Sequence, residues 1–175
     1  HVLTPSKFSG AELYALDVAE KLESDFDFTV ITEPVEEVLY QAGARGVAAI
    51  PLKIEGKGNI FGYRRLQKRI RQIKPDIIHV HHTTGAFFGG LAGRKLGIPT
   101  VCTLHGYVPM FWQKYCDQYI SISKDIYNYF DRWLSPDKHA LVANGVDVSR
   151  FQPASAADKN RIRKEFNLPE KSIVI

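Results

Sequence analysis

The residues best placed for chemistry are histidines and the glycines beside them. His79-Val80-His81-His82 closes one apolar run, and Thr103-Leu104-His105-Gly106 closes another. Histidine donates, accepts or carries charge near neutral pH. One that stands just past a strand end, with a glycine freeing the backbone next to it, is where a titratable group faces a substrate. His105 is on this ground the candidate catalytic residue and Gly106 a candidate substrate contact; the competing reading is a hydrogen-bonded surface histidine. His79 and His81 fall on one face of their run, because side chains alternate along a strand. The sequence reads His79 as packed inside the sheet, with His81 or His82 polar at a ligand edge. A zinc site needs three or four converging ligands. Only His105 is available to extend the cluster and no carboxylate motif accompanies it, so no metal and no cofactor is assigned.

A second candidate is Ser9-Gly10-Ala11-Glu12, a Ser at a helix cap with Glu three residues on, the capping-box pattern. A helix start offers free N–H groups and a dipole to an anion, and Gly10 has no side chain to keep a ligand away. Ser9 and Gly10 are therefore candidate substrate contacts, although a plain helix start explains the pattern equally. No G-x-G-x-x-G and no G-x-x-x-x-G-K-[ST] occurs, which weakens a dinucleotide reading and excludes a phosphate-loop hydrolase. Asp125, Asp131, Asp137 and Asp147 are scattered and form no couple for hydrolytic acid/base work. No G-x-S-x-G elbow is present either. Cys102 and Cys116 have neither metal spacing nor a framework, and read as free thiols of a reducing, cytoplasmic compartment.

The elements that must position these residues follow from the apolar pattern. Ala11, Ala15, Val18, Ala19 and Leu22 predict a helix over about 11–23, after a turn-rich loop at 4–10. Strands are predicted at 26–32 and at 46–50, the second ended by Pro51, with a flexible loop at 53–59. Phe61, Tyr63, Leu66, Ile70 and Ile73 predict a helix with its aromatic residues on the core face, stopped by Pro75. A strand follows at 76–81, a small-residue helix at 85–96 closed by Gly97, and strands at 98–104, 118–122 and 139–142, with a helix after Ser123 between the last two. Short apolar strands alternating with helices are the signature of a parallel sheet covered on both faces. The fold class is α/β, a Rossmann-like doubly wound domain over residues 1–145. In such sheets ligands bind beyond the carboxyl ends of the strands, which selects the loops at 4–10, 51–59, 79–85, 104–110, 122–124 and 143–147.

With 175 residues the chain is long enough for one domain of about 100–150 residues and a tail. No apolar run approaches the ~20 residues that span a bilayer. Residues 172–175 read as the opening of a buried strand for which no further sheet-forming sequence follows. Residues 146–175 are thus expected to be a crossing segment and the first strand of a second domain. The net charge is +4, but Arg64, Arg65, Lys68, Arg69, Arg71 and Lys74 crowd into eleven residues without an acid. Such a stretch is commonly a solvated face. If it binds anything, an anionic membrane surface suits it, giving peripheral contact at the inner membrane face through Arg64, Arg65, Lys68, Arg69 and Arg71. Nucleic acid is not expected, for want of aromatic residues among the charges.

Taken in order, Gly10-Ala11-Glu12, residues 75–81, residues 103–106, Ile120-Ser121-Ile122-Ser123 and Asn144-Gly145-Val146-Asp147 with Phe151 and Pro153 resemble the N-terminal half of group 1 (family 4) retaining glycosyltransferases. The resemblance implies a GT-B architecture of two Rossmann-like domains, of which this is the acceptor-side one. It implies a nucleotide-sugar donor, a glycan, lipid-linked or small-molecule acceptor, and transfer with retention and without a metal. His105 matches the active-site histidine that contacts the donor sugar. The Gly10 loop would lie against donor diphosphate or acceptor, Ser123 would line the cleft, and Asn144 would lead into the crossing. Many relatives carry two successive glycines where Ser9-Gly10 stands. The family's donor-binding glutamates and basic residues belong to the other domain, so the 175-residue chain is expected to be inactive alone. The runner-up is a non-catalytic Rossmann-like module that binds a sugar phosphate or a protein partner; an epimerase or phosphorylase half shares the fold.

Overall fold

The computed structural model describes residues 1–149, 151–169 and 172–173. The chain divides into two compact units, 1–144 and 145–175. The first contains seven parallel strands, β1 (Val2–Leu3), β2 (Thr29–Thr32), β3 (Ala48–Pro51), β4 (Ile78–Val80), β5 (Thr100–Leu104), β6 (Gln118–Ser121) and β7 (His139–Leu141), in the order β3-β2-β1-β4-β5-β6-β7. Helices α1 (Gly10–Lys21), α2 (Glu36–Ala44), α3 (Ile60–Ile73), α4 (Thr83–Leu96) and α5 (Lys124–Phe130) connect them, with a 3-10 turn at Met110–Trp112. The Rossmann-like sheet is the one the alternating pattern predicts. Most strands are shorter than expected: β2, β3, β4 and β5 begin two or three residues later, and β4, β6 and β7 end one residue earlier.

Neighbouring strand residues go to opposite faces. Leu3 and Val30 pack with Ala15, Leu16, Val38 and Ala42 on the α1/α2 side. Val2, Ile31, Ile78 and Val80 pack with Leu66, Ile70 and Ala86 on the α3/α4 side. On that second face α4 lies close to the sheet because its inner surface is nearly bare. A Cβ on Gly89 would stand 2.5 Å from Val80 Cγ1, and one on Gly93 would stand 2.8 Å from the Ile98 carbonyl oxygen and collide with Thr100 Cγ2. Glycines inside a helix weaken it by up to about 1 kcal/mol each; here the approach they permit buries β4 and β5. Pro51 ends β3 on the sheet border, where its missing N–H costs no ladder bond.

Two local expectations are corrected. The 53–59 loop is pinned: Glu33 Oε1 accepts from the N–H groups of Ile54 and Glu55 at 2.9 and 2.5 Å, Arg65 donates to the Lys53 carbonyl, and Ile54 is wholly buried. Gly62 packs against the Ile54 carbonyl, which has room only for a hydrogen there. Phe61 does not join the core face of α3. It is 65% exposed, because the buried stripe of α3 runs through Gly62, Leu66 and Ile70 and Phe61 falls beside it.

In the second unit, α6 (Ala156–Glu165) is capped by Ser155, whose Oγ accepts from Asp158 N–H and donates to its carboxylate. Asn167 closes it in the left-handed region at φ 51°, and Arg163 reaches over to the carbonyls of Pro169 and Ser172. Of the strand expected at 172–175, Ser172 and Ile173 are not in a ladder and Ile173 is exposed; Val174 and Ile175 lie outside the described residues.

Replacing Gly93 by Ala is expected to lower stability by about 1–3 kcal/mol through overpacking. Gly43→Ala in α2, where nothing lies within 4 Å of the added Cβ, is expected to raise it by about 0.5–1 kcal/mol. Thermal melts of the two variants check both signs.

Candidate active site

The chain leaves β1 outward to β2 and β3, then returns through α3 to β4 on the other side of β1. The connections after β1 and β4 therefore run in opposite directions and leave a crevice beyond their carboxyl ends, the position where ligands bind in such sheets. Thr4 and Pro5 after β1, Glu33 after β2, Glu55 and Gly56 after β3 and Thr84 in α4 line a cavity of about 410 Å³ here. A larger hollow of about 800 Å³ lies at the opposite edge, under the amino ends of the strands, among His1, Phe28, Ile73 and Ile77.

Beside the crevice the histidines converge. β4 and β5 pair with His79 opposite Val101 and Val80 opposite Cys102, which carries His81 to the level of Thr103, two residues before His105 on the same face. His81 is completely buried; its Nδ1 lies 3.0 Å from Nε2 of His105 and its Nε2 lies 3.0 Å from Nδ1 of His1. The ring centroids of these two pairs are 5.3 and 5.2 Å apart. His79 packs on His81 at 4.5 Å and meets Thr103 Oγ1 at 2.7 Å. Tyr14 of α1 turns the edge of its ring to both His81 and His105. Among the described residues, His1, His79 and His81 are the group whose ligand atoms approach within 4.8 Å of one another. The facing nitrogens of His1 and His81 are at hydrogen-bond distance from one another, 3.0 Å.

His82 takes the outward position instead. It sits at φ 61° as the N-cap of α4, a conformation costly for a residue with a side chain. It is held there from both ends: Thr4 N–H donates to Nδ1 at 3.4 Å, and Nε2 lies 2.8 Å from Glu12 Oε1. Glu12 is fully buried, and its other oxygen accepts from Ser9 Oγ at 2.6 Å. The capping box is thus altered. Ser9 is the N-cap of α1, but its hydroxyl donates to the Glu12 carboxylate in place of accepting from the backbone.

The remaining predicted residues are placed as follows. Gly10 is exposed, and a Cβ on it would meet nothing within 4 Å, so the space over the start of α1 is open. Gly106 is half-buried with the same open surroundings. His81 is corrected from a ligand-edge residue to one beneath that edge, because its N–H still donates to the Val2 carbonyl and draws it into the sheet. Ser123 caps α5, its Oγ accepting from Ile126 N–H at 3.3 Å. Asn144 is exposed at the end of the first unit. Ser9, Gly10, His81, His105 and Gly106 are brought to the crevice around β1, β4 and β5, whereas Ser123 and Asn144 follow β6 and β7 further along the same edge. Sequence reasoning missed Glu12 as a buried partner of His82, Tyr14 as the ring packed on His105, and Glu33 as the anchor of the 53–59 loop.

A family model described as Glycosyltransferase Family 4 matches residues 8–150. The D-inositol 3-phosphate glycosyltransferase of Salinispora arenicola is 25% identical over 95% of this chain and 46% of its own length. A glycosyltransferase structure from Rickettsia africae superposes with a TM-score of 0.81 at 16% identity, covering 97% of this chain and 50% of the other. Anabaena HepE in complex with UDP-glucose gives 0.80 at 15% identity, covering 95% and 49%. The chain spans about half the length of the relatives it matches.

Burial sets the protonation of this cluster. It pushes the His105 imidazole down to about 4, aided by the nearby His82, and the His79 imidazole down to about 3. His81 is driven well below its ordinary value by the same burial and by its neighbouring imidazoles. For Glu12, burial pushes upward, but the His82 and Ser9 hydrogen bonds outweigh it and the carboxyl titrates below its usual range. The sign is the same for both groups. Between pH 6.5 and about 4 the unfolded chain binds protons at histidines that the native chain keeps neutral, and below the ordinary carboxyl range the unfolded chain binds one that Glu12 refuses. Stability is therefore fully present above pH 6.5 and falls on acidification, by up to about 1.4 kcal/mol per pH unit for each such histidine. Urea midpoints are expected to hold level from pH 7.5 to about 6.5 and to decline from there to pH 4.

Proposed function

The chain belongs to glycosyltransferase family 4, and from that premise we propose that it is the acceptor-side domain of a retaining transferase that moves a sugar from a nucleotide-sugar donor to a glycan, lipid-linked or small-molecule acceptor. The observation that carries the reading is the place of His105. It follows β5, beside the β1/β4 crevice, with Gly106 leaving the backbone open and His81 fixing one ring nitrogen from below. The other nitrogen remains for a donor-sugar hydroxyl near the reacting carbon. Similarity to a D-inositol 3-phosphate glycosyltransferase and to HepE in complex with UDP-glucose supports a nucleotide sugar as the donor.

The acceptor occupies the crevice among the loops after β1, β2 and β3. The Gly10 loop serves it in preference to the diphosphate, since the Glu12 carboxylate already lies in the first turn of α1, where the helix dipole favours negative charge. Leaving-group charge is met by the helix starts and basic side chains of the second domain, with no resident metal. Residues from Gly145 on lead towards that domain. The exposed Arg64, Arg65, Lys68 and Arg71 and the half-buried Arg69 of α3 present a basic surface to an anionic membrane that carries the acceptor. No helix among the described residues is long and apolar enough to cross a membrane.

Two experiments test this. The full-length protein and the 175-residue chain are compared by thermal shift and turnover with UDP-, GDP-, ADP- and CMP-sugars. Stabilisation and turnover of the full-length protein by one nucleotide class, and of the chain by none, is expected, with His105→Ala reducing kcat/KM by about 10²-fold. A full-length protein that ignores every donor returns the domain to a non-catalytic binding role. In vesicle co-sedimentation, anionic lipid is expected to enhance binding. Reversing Arg64, Lys68 and Arg71 to Glu should abolish the enhancement, each base supplying about 1 kcal/mol; equal binding to neutral vesicles would sink the membrane assignment.

A further inference from the structure

His81 has two ring nitrogens and, being wholly buried, no solvent to satisfy either. Each has a single imidazole partner, Nε2 facing His1 Nδ1 and Nδ1 facing His105 Nε2, both at 3.0 Å. A neutral imidazole carries one hydrogen and one lone pair. Whichever nitrogen of His81 holds the hydrogen donates it, and the other must accept. If Nε2 donates to His1, then His105 has to donate from its own Nε2 into Nδ1 of His81, and all three rings are Nε2–H tautomers. If Nδ1 donates to His105, His1 has to donate from Nδ1, and all three are Nδ1–H tautomers. A mixed set places two hydrogens or two lone pairs face to face in a buried contact, which forfeits a hydrogen bond and its desolvation cost.

We propose that His81 is a positioning residue that couples His1 and His105 into one tautomeric unit, so that the three rings reverse together or not at all. The outward nitrogen of His105, Nδ1, then has only two settings. In the first it is an acceptor, ready for a sugar hydroxyl; in the second it is a donor, ready for a carbonyl, phosphate or ring oxygen. In a reversal one hydrogen crosses each 3.0 Å contact, while half-buried His105 takes up a proton at Nδ1 from ligand or water and half-buried His1 releases one from Nε2. The unit thus ends as uncharged as it began, and no protonated histidine is left in the core. Tyr14, set edge-on to His81 and His105, and His79, stacked on His81, keep the rings from turning out of line. His82 lies outside the unit: accepting from Thr4 N–H at Nδ1 leaves its hydrogen on Nε2, toward Glu12. The use made of Nδ1 by a donor sugar rests on the function proposed above, but the tautomeric coupling does not, and the test reads the coupling alone.

The test is long-range ¹H–¹⁵N correlation on the ¹⁵N-histidine-labelled 175-residue chain at pH 7.5, which distinguishes protonated from unprotonated ring nitrogens. His1, His81 and His105 are expected to share one tautomer, or to show the same averaging if both settings are populated, while His82 reads as Nε2–H. His81 in one tautomer with His105 in the other overturns the proposal in the wild-type chain, without recourse to any variant. His81→Asn keeps a polar atom at the Nδ1 position and is expected to hold His105 in a single tautomer. His81→Phe is expected to release it, shifting both His105 ring nitrogens. Unchanged His105 signals in a His81→Phe chain whose amide spectrum remains dispersed would equally overturn the coupling.

Discussion

The contact between β1 and β4 is the constraint on which the rest of the carboxyl edge depends. β1 offers the ladder only two residues, yet it stands between β2 and β4. Val2 opposes Val80, and the Val2 carbonyl still collects the N–H of His81 after β4 has ended. Two residues on, Thr4 uses its backbone N–H on His82 and its Oγ1 on Gly85 N–H, so the short loop after β1 fixes the start of α4. Displacing β1 by one residue would reverse the faces of Val2 and Leu3 and empty both cores at once. The position of His82, the tie to Glu12 and the meeting of His1 with His81 are all set by this junction.

The architecture was legible because it is written in local pattern. Runs such as Ile77-Ile78 and Val101-Cys102, separated by helices with buried 3.6-residue stripes, leave few alternatives to a parallel sheet. The edges of elements were less legible, since a residue such as His81 retains one ladder bond without being in the strand. Part of the site was readable for the same reason: in a parallel sheet, functional groups gather where strands end, which singled out His105 and Gly106. What could not be read was the company those residues keep. His1 and His81 are eighty positions apart and meet only because β1 inserts beside β4. Glu12 matched a capping pattern so well that a second use for its carboxylate was invisible. Phe61 fitted an apolar stripe on α3, but the buried stripe runs through Gly62, which the apolar pattern could not single out.

The chemistry available at the crevice follows from how charge is excluded from it. Five imidazoles, His1, His79, His81, His82 and His105, are linked by ring contacts, and burial keeps His79, His81 and His105 uncharged well below neutrality. A cluster of cations there would repel itself; neutral rings can instead pass hydrogen bonds among themselves. Among the described residues Glu12 is the fully buried carboxylate, and it is matched by Ser9 and His82. Neutral rings and a matched carboxylate suit hydroxyl-rich groups.

Pro51 has a further consequence, for how copies of the molecule treat one another. An open sheet has two free borders, and each is a template on which a neighbouring chain can add a strand. At one border Pro51 withholds a donor from any newcomer along β3. At the other, β7 is three residues long and gives a newcomer little to grip, although Leu141 and Val142 beside it are about half exposed. With a net charge of +4 adding mutual repulsion, the sheet is guarded against fibrous self-association by a missing hydrogen on one flank and by brevity on the other. The second guard is the weaker of the two, so any change that lengthens β7 would trade colloidal stability for sheet.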